Sequence, residues 1–227
     1  MAKKKQTFAK NDEQLQEVNE ALTGAGKWIE KNAKRISWGV AIIALAILAY
    51  IAYNQYVVKP TKLEASNENA KAVVYFMNGD FDKALNGDDA ECIGFKAIAD
   101  EYGRYQEGKL AALYTGVIYF EKGEYETAAE YLGKFEADDL TIGPAASQLL
   151  GDTYVELQDY DNAIKAYKAA ANSKSQLIAP MSLKKLGILY LTQEQKEEAK
   201  KAFETIKNDY PTSSEAQDID KYIAVAE

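Results

Sequence analysis

LLGDTYVELQDYDNAIKAYKAAA (residues 149–171) and KLGILYLTQEQKEEAKKAFETI (residues 185–206) share one skeleton. Each has Leu-Gly, a tyrosine three places after the glycine, an alanine nine further on and an aromatic four after that. The matched positions are Gly151, Tyr154, Ala163 and Tyr167 in the first, and Gly187, Tyr190, Ala199 and Phe203 in the second. A third copy, TGVIYFEKGEYETAAEYLGKF (residues 115–135), puts Gly116, Tyr119, Ala128 and Leu132 in the same slots, so the copies are spaced by 35 and then 36 residues. Within the copies, Lys122-Gly123-Glu124-Tyr125 and Gln158-Asp159-Tyr160-Asp161 read as turns that restart a helix. A period of this size with one turn per copy predicts a stack of helical hairpins.

The spacing has a physical reason. A glycine in the first helix and an alanine in the second let two backbones approach closely, while the aromatics fill the space toward the neighbouring copy. A degenerate copy precedes these three: Ala72, Tyr75, Phe81 and Ala84 occupy the slots, then residues 86–92 intrude before FKAIADEY (residues 95–102) resumes, parallel to FETIKNDY (residues 203–210). Pro211 ends the last hairpin, and Thr212 with Glu215 predicts a capping box for a final helix over residues 213–226. One face of that helix carries Ala216, Ile219, Tyr222, Ile223 and Ala226, and the other face is polar, as a solenoid cap requires. The skeleton resembles the tetratricopeptide repeat, whose period is about 34 residues. The expected copies are residues 65–108 (degenerate), 109–142, 144–177 and 180–212.

Ahead of the repeats lies ISWGVAIIALAILAYIAYNQYVV (residues 36–58), 23 residues without a charged side chain. At about 1.5 Å per residue a helix of this length spans about 34 Å, enough to cross a hydrocarbon core of about 30 Å. Trp38 stands at one end and Tyr50, Tyr53 and Tyr56 at the other, where amphipathic rings favour the headgroup level. The run is longer than the apolar part of a signal peptide and is followed by no small-residue cleavage site, so a retained single-pass anchor is expected. Residues 1–35 hold eight Lys or Arg against five acids, whereas residues 59–227 hold 19 basic and 30 acidic side chains, a net charge of −11. The positive-inside rule then places residues 1–35 in the cytoplasm and residues 59–227 across the membrane. In the arm, residues 1–9 read as a basic tail, and Leu15, Val18 and Leu22 as one face of a short amphipathic helix that breaks at Thr23-Gly24-Ala25-Gly26. Lys59-Pro60 is expected to stop the membrane helix.

Composition narrows the chemistry. The sequence has no histidine, which removes the commonest general base and metal ligand, and its single cysteine, Cys92, has no partner within the chain for a disulfide. Asp80, Asp82, Asn86, Asp88, Asp89 and Glu91 crowd the insert, but they lack the alternating spacing and final glutamate of a calcium loop and read as an acidic solvated turn. Glu136 to Asp139 reads likewise as a solvated face. No phosphate loop, zinc spacing or nucleophile elbow occurs. The acidic domain is unsuited to nucleic acid. The expectation is an interaction protein with no catalytic residue, no cofactor and no metal.

The resemblance to tetratricopeptide repeats implies that the first helix of each pair lines a concave groove for a protein partner. Carried over by position, the groove residues are Asn69, Val73, Phe76, Met77, Leu113, Val117, Phe120 and Glu121 in the first half. In the second they are Gln148, Asp152, Val155, Glu156, Lys184, Ile188 and Leu191. Two readings stay open for each: lining an apolar peptide groove, or packing internally or against the helix that follows the anchor. The basic and asparagine clamp that some members use for a C-terminal carboxylate is missing. A basic arm, one anchor and an outward repeat domain together resemble the bacterial inner-membrane ancillary subunits of the SecYEG translocon. That resemblance implies an all-α protein of the inner membrane with a periplasmic repeat domain, binding translocon subunits, chaperones or exported polypeptides. The alternative is a self-associating or bridging scaffold for envelope assembly, a homo-oligomer without clients.

Overall fold

The computed structural model describes residues 2–88, 91–137 and 139–227, with side chains described for Thr23 and from Gly26 onward. The face expected at Leu15, Val18 and Leu22, and the acids Asp89 and Asp138, therefore lie outside the described residues. The chain divides into two units, residues 1–60 and 61–227.

In the first unit, α1 runs over Ala2–Tyr53 and is followed by one π turn, Asn54–Val58. Two expectations are corrected here. Residues 2–9, read as a basic tail without structure, are helical, and the break expected at Thr23–Gly26 is absent, since the backbone is helical through both. Glycine inside a helix costs about 1 kcal/mol relative to alanine, which weakens a helix without ending it, and residues 2–53 contain no proline. From Val40 to Tyr56 the large apolar side chains are exposed, and among the described residues one helical run, Gly26–Met77, is long and apolar enough to cross a membrane.

Lys59-Pro60 does not end the helical path either. Lys59 has φ −64° and ψ −47°, its N–H donates to the carbonyl of Asn54, and Pro60 sits in the first turn of α2 (Lys59–Met77). A proline inside a regular helix clashes with the carbonyl four residues back and leaves it unbonded. The wider π turn just before Pro60 re-spaces the hydrogen bonds where that clash would fall. All four prolines are placed by the same logic: Pro144 and Pro180 are each the third residue of a helix, and Pro211 follows one.

Among the described residues the named elements of the second unit are all helices. After α2 come α3 (Phe81–Asn86), α4 (Gly94–Tyr102), α5 (Gln106–Glu121), α6 (Tyr125–Leu132), α7 (Ile142–Glu156), α8 (Tyr160–Ala171), α9 (Ile178–Thr192) and α10 (Lys196–Asp209). A 3-10 turn, Glu215–Asp218, leads into α11 (Ile219–Ala226). Helices α5/α6, α7/α8 and α9/α10 are antiparallel neighbours joined by short turns, and each hairpin packs on the next.

The glycines of the skeleton make the hairpins close. A Cβ built on Gly116 would lie 2.6 Å from Leu132 Cγ, one on Gly151 2.5 Å from Tyr167 Cδ1, and one on Gly187 2.3 Å from Phe203 Cε1. In each pair the second-helix side chain lies directly on first-helix backbone. The turns are equally uniform. Gly79, Gly123, Gln158 and Glu194 take positive φ of 77°, 76°, 59° and 59°, and the following N–H of Asp80, Glu124, Asp159 and Gln195 donates to the carbonyl of Tyr75, Tyr119, Tyr154 and Tyr190 at 2.8–3.0 Å. This is the left-handed helix stop that satisfies an otherwise orphaned carbonyl. Gln158 and Glu194 adopt it despite having a Cβ, at a cost of about 1 kcal/mol each.

The insert splits the second helix of the first copy into α3 and α4. Its described residues Asp88, Glu91 and Cys92 are tied together by hydrogen bonds. The Asp88 N–H donates to the Cys92 carbonyl at 2.9 Å, the Glu91 N–H donates to Asp88 Oδ1 at 2.7 Å, and the Tyr75 hydroxyl donates to the Asp88 carboxylate. That bond pushes the Tyr75 hydroxyl up to about 12. Lys122 takes Asp82 at 3.0 Å. Cys92 is buried, and burial raises its thiol.

Two cores result. The first joins Ala65, Ala72, Leu85, Phe95, Ile98 and Ile118; the second joins Leu183, Leu186, Phe203, Ile206, Ile219 and Ala226. In the last segment, Thr212 forms no capping box. The Ser213 hydroxyl accepts from the Ala216 N–H at 3.2 Å instead, and the 3-10 turn fills the space before α11. Ala216, Tyr222 and Ile223 pack against the second core, with Val225 exposed on the opposite side.

Candidate functional site

Among the described residues, two apolar depressions lie on the surface of the second unit. The first, about 350 Å³, is lined by Phe76 of α2, Leu110, Leu113, Tyr114 and Val117 of α5, and Thr141, Ile142, Ala145 and Leu149 of α7. Its floor is an aromatic cluster: Tyr114 stacks on Phe95 at 4.8 Å between ring centroids and meets Phe76 edge-on at 5.1 Å. Its rim is fixed by Asp139, whose Oδ1 accepts from the N–H of Thr141 at 2.6 Å and of Ile142 at 2.5 Å, and whose Oδ2 accepts from Gly143 at 3.0 Å. These bonds hold the Asp139 carboxyl below its ordinary range and satisfy the orphaned amides at the start of α7. Ile142, half exposed, is thereby held at the edge of the depression.

The second depression, about 320 Å³, lies between α7, α8 and α9, lined by Asp152, Val155, Tyr160, Tyr167, Lys185, Ile188, Leu189 and Thr192. Asp152 is its polar anchor. Its Oδ1 accepts from the Tyr167 hydroxyl at 2.6 Å, and Lys185 Nζ reaches both carboxylate oxygens, at 2.7 and 2.6 Å. Burial, and then the bond to Asp152, push the Tyr167 hydroxyl well above the usual tyrosine range. Tyr167 and Lys185 satisfy the carboxylate, and Val155, Ile188 and Leu189 add apolar lining beside this polar network.

Of the expected groove residues, Phe76, Leu113 and Val117 come together in the first depression, and Asp152, Val155 and Ile188 in the second. The others lie elsewhere. Asn69 is buried and donates to the Glu107 carbonyl at 2.8 Å. Val73 and Leu191 pack against the two cores. Phe120 meets Tyr125 edge-on at 5.6 Å, and Gln148 accepts from the Ser182 hydroxyl at 3.0 Å. Lys184 pairs with Asp218 at 2.7 Å and lies over the Tyr222 ring, while Met77, Glu121 and Glu156 are exposed. Position mapping missed Leu110, Tyr114, Ile142 and Leu149. A helical-face count could have found them, since Leu110, Leu113, Tyr114 and Val117 stand at i, i+3, i+4 and i+7 and Ile142 and Leu149 are seven apart.

Among the described residues no group of three or more His, Cys, Asp or Glu could hold a metal ion. What the geometry offers is concave apolar surface on stacked hairpins, the form of a helical-repeat module for binding other proteins. The chain belongs to the tetratricopeptide repeat-like domain family, which matches residues 26–221. Domains of this family are typically non-catalytic and bind proteins. Among solved structures, MamA (AMB-1) is 19% identical with a TM-score of 0.52, covering 73% of this chain and 81% of that one. A putative kinesin light chain of Podosopora anserina with TPR-like repeats is 14% identical with a TM-score of 0.51, covering 74% and 86%. At such identities the likeness is one of fold alone. No curated protein sequence matches the chain.

Proposed function

We propose that the protein is a membrane-anchored interaction module of the bacterial inner membrane. In this reading residues 1–35 are cytoplasmic, α1 crosses the bilayer, and the repeat unit is periplasmic, where it engages emerging envelope proteins beside the translocon and periplasmic chaperones. The observation that carries the binding half is the first depression. An aromatic floor, a rigid rim at Asp139 and a half-exposed Ile142 suit the apolar side chains of an extended or helical segment. The anchoring half is supported by the exposed apolar stretch of α1 and by the charge asymmetry around it.

The alternative, a self-associating scaffold, is favoured by a separate observation: Leu140, Leu177 and Val225 are each at least 60% exposed and line neither depression. Photo-crosslinking in intact cells separates the two. Photoreactive residues at Val117, Ile142 and Ile188, with exposed Lys196 on α10 as control, are expected to capture translocon subunits, chaperones or a spread of exported proteins from the depressions only. Capture of the protein itself or one fixed complex, equally from Lys196, would replace this reading with the scaffold. Protease added outside the inner membrane is expected to remove residues 59–227, and their protection there would reverse the orientation.

A further inference from the structure

The cations next to the apolar stretch of α1 lie on one side of the helix, which the positive-inside rule does not require. At about 100° per residue, Lys27, Lys31, Lys34 and Arg35 fall within an arc of about 100°, and Trp38 and Ile42 continue the same stripe. Glu30 lies outside the arc, and none of the four cations pairs with a carboxylate among the described residues. Lys31, Lys34, Arg35, Trp38, Gly39 and Ile42 border one surface recess, and a Cβ on Gly39 would meet nothing within 4 Å. Trp38 and Ile42 are 65% and 62% exposed. From top to bottom the stripe offers cationic donors, an indole and an aliphatic side chain, over about 10 Å of helix between Arg35 and Ile42.

We infer that this stripe is a binding site for an anionic phospholipid of the leaflet on the arm side. The phosphate meets Lys31, Lys34 and Arg35, the ester region lies against Trp38, and an acyl chain runs down Ile42. Charge complementarity selects the lipid: guanidinium and ammonium groups match phosphate oxygens, and the indole favours the headgroup boundary. The order of groups also matches the order of a phospholipid's own parts. An acidic protein helix would satisfy the cations but gain nothing specific from Trp38 and Ile42 at bilayer depth. The inference rests on the membrane-spanning reading of α1.

The test uses the full chain carrying Trp28→Phe, which leaves Trp38 the reporter of the two tryptophans, reconstituted into phosphatidylcholine vesicles containing brominated phosphatidylglycerol or brominated phosphatidylcholine. Quenching of Trp38 is expected to show the anionic lipid enriched about fivefold or more over its bulk fraction. A charge-conserving variant moves two cations to the opposite face: Lys31→Gln and Arg35→Gln with Ile29→Lys and Ala33→Arg. Net charge and the positive-inside bias persist, so diffuse attraction remains, and the enrichment is expected to fall to less than half that of the parent. Equal enrichment in both proteins would leave only diffuse attraction and overturn the site. So would capture of an acidic protein segment, in place of lipid, by a photoreactive group at Lys31 in native membranes. Carbonate washing comes first. A chain that washes off overturns the spanning reading and the site with it, whereas a retained chain with no enrichment overturns the site alone.

Discussion

Replacing Gly187 with alanine sets two known effects against each other. In an open helix the change is favourable by about 1 kcal/mol. Here the new methyl would sit 2.3 Å from Phe203 Cε1, 2.6 Å from Cζ and 2.8 Å from Cδ1. Phe203 is fully buried, and its far side meets the Tyr222 ring of α11 at 5.3 Å between centroids. The ring cannot withdraw without displacing α11, so the α9/α10 hairpin must open slightly, and overpacking of this kind costs about 1–3 kcal/mol. With three ring carbons inside 3 Å the overpacking falls in the upper part of that range, about 2–3 kcal/mol, so the net expectation is a loss of about 1–2 kcal/mol, which for a unit of this size lowers the thermal midpoint by about 2–8 °C. Circular dichroism of the full chain in detergent measures it. Gly39→Ala, on a helix face with nothing within 4 Å, is the control and leaves the midpoint unchanged or higher. Phe203→Leu in the Gly187→Ala background should give a double-variant loss smaller than the sum of the single losses, because both act on one contact. A Gly187→Ala midpoint equal to or above the parent would refute the argument that glycine stands there for backbone approach.

Two further outcomes follow from the depressions. Asp139→Ala removes the carboxylate that accepts from three amide N–H groups at the start of α7 and should cost about 0.5–1 kcal/mol. Because the folded pKa of Asp139 is depressed, its contribution is present above about pH 4 and lost as pH falls through the folded value, so thermal midpoints of parent and Asp139→Ala should converge on acidification. Tyr167 has the opposite sign: its raised folded pKa supplies stability that is present below pH 10 and is lost as pH rises through the folded value. Difference titration of tyrosinate absorbance against Tyr167→Phe should show Tyr167 titrating earlier in Asp152→Ala yet still above an ordinary tyrosine, since burial is the larger cause; a normal value there would contradict the buried placement.

The parts of this fold legible in the sequence are those where a residue type answers to one geometric demand. Gly116, Gly151 and Gly187 had to be small because Leu132, Tyr167 and Phe203 lie on them, and that demand recurs at a fixed spacing. Other local signals have more than one solution. Pro60 can break a helix or ride on a π turn, and the chain takes the second course. Ser213 and Thr212 can both cap, and in the folded chain it is Ser213 that accepts from the N–H of Ala216, which packs on the second core. The depressions were half legible for a similar reason. Helical position shows which side of α5 carries Leu113 and Val117, but the meeting of α5 with the start of α7 depends on a loop pinned by Asp139. In the same way Gln148 reads as a surface amide until Ser182 of the next hairpin is brought to 3.0 Å.

The closures that define each hairpin span little chain: from Gly116 to Leu132, from Gly151 to Tyr167 and from Gly187 to Phe203. Each is complete once its own two helices are available, and each later hairpin finds its docking surface already in place. Contacts this local close quickly and tolerate sequential delivery. A chain released gradually, from a ribosome or through a membrane pore, can therefore fold in the order in which it emerges, with α11 covering the second core last. Its vulnerable interval is short: at any moment the apolar surface awaiting a partner is one hairpin's face, not a whole core.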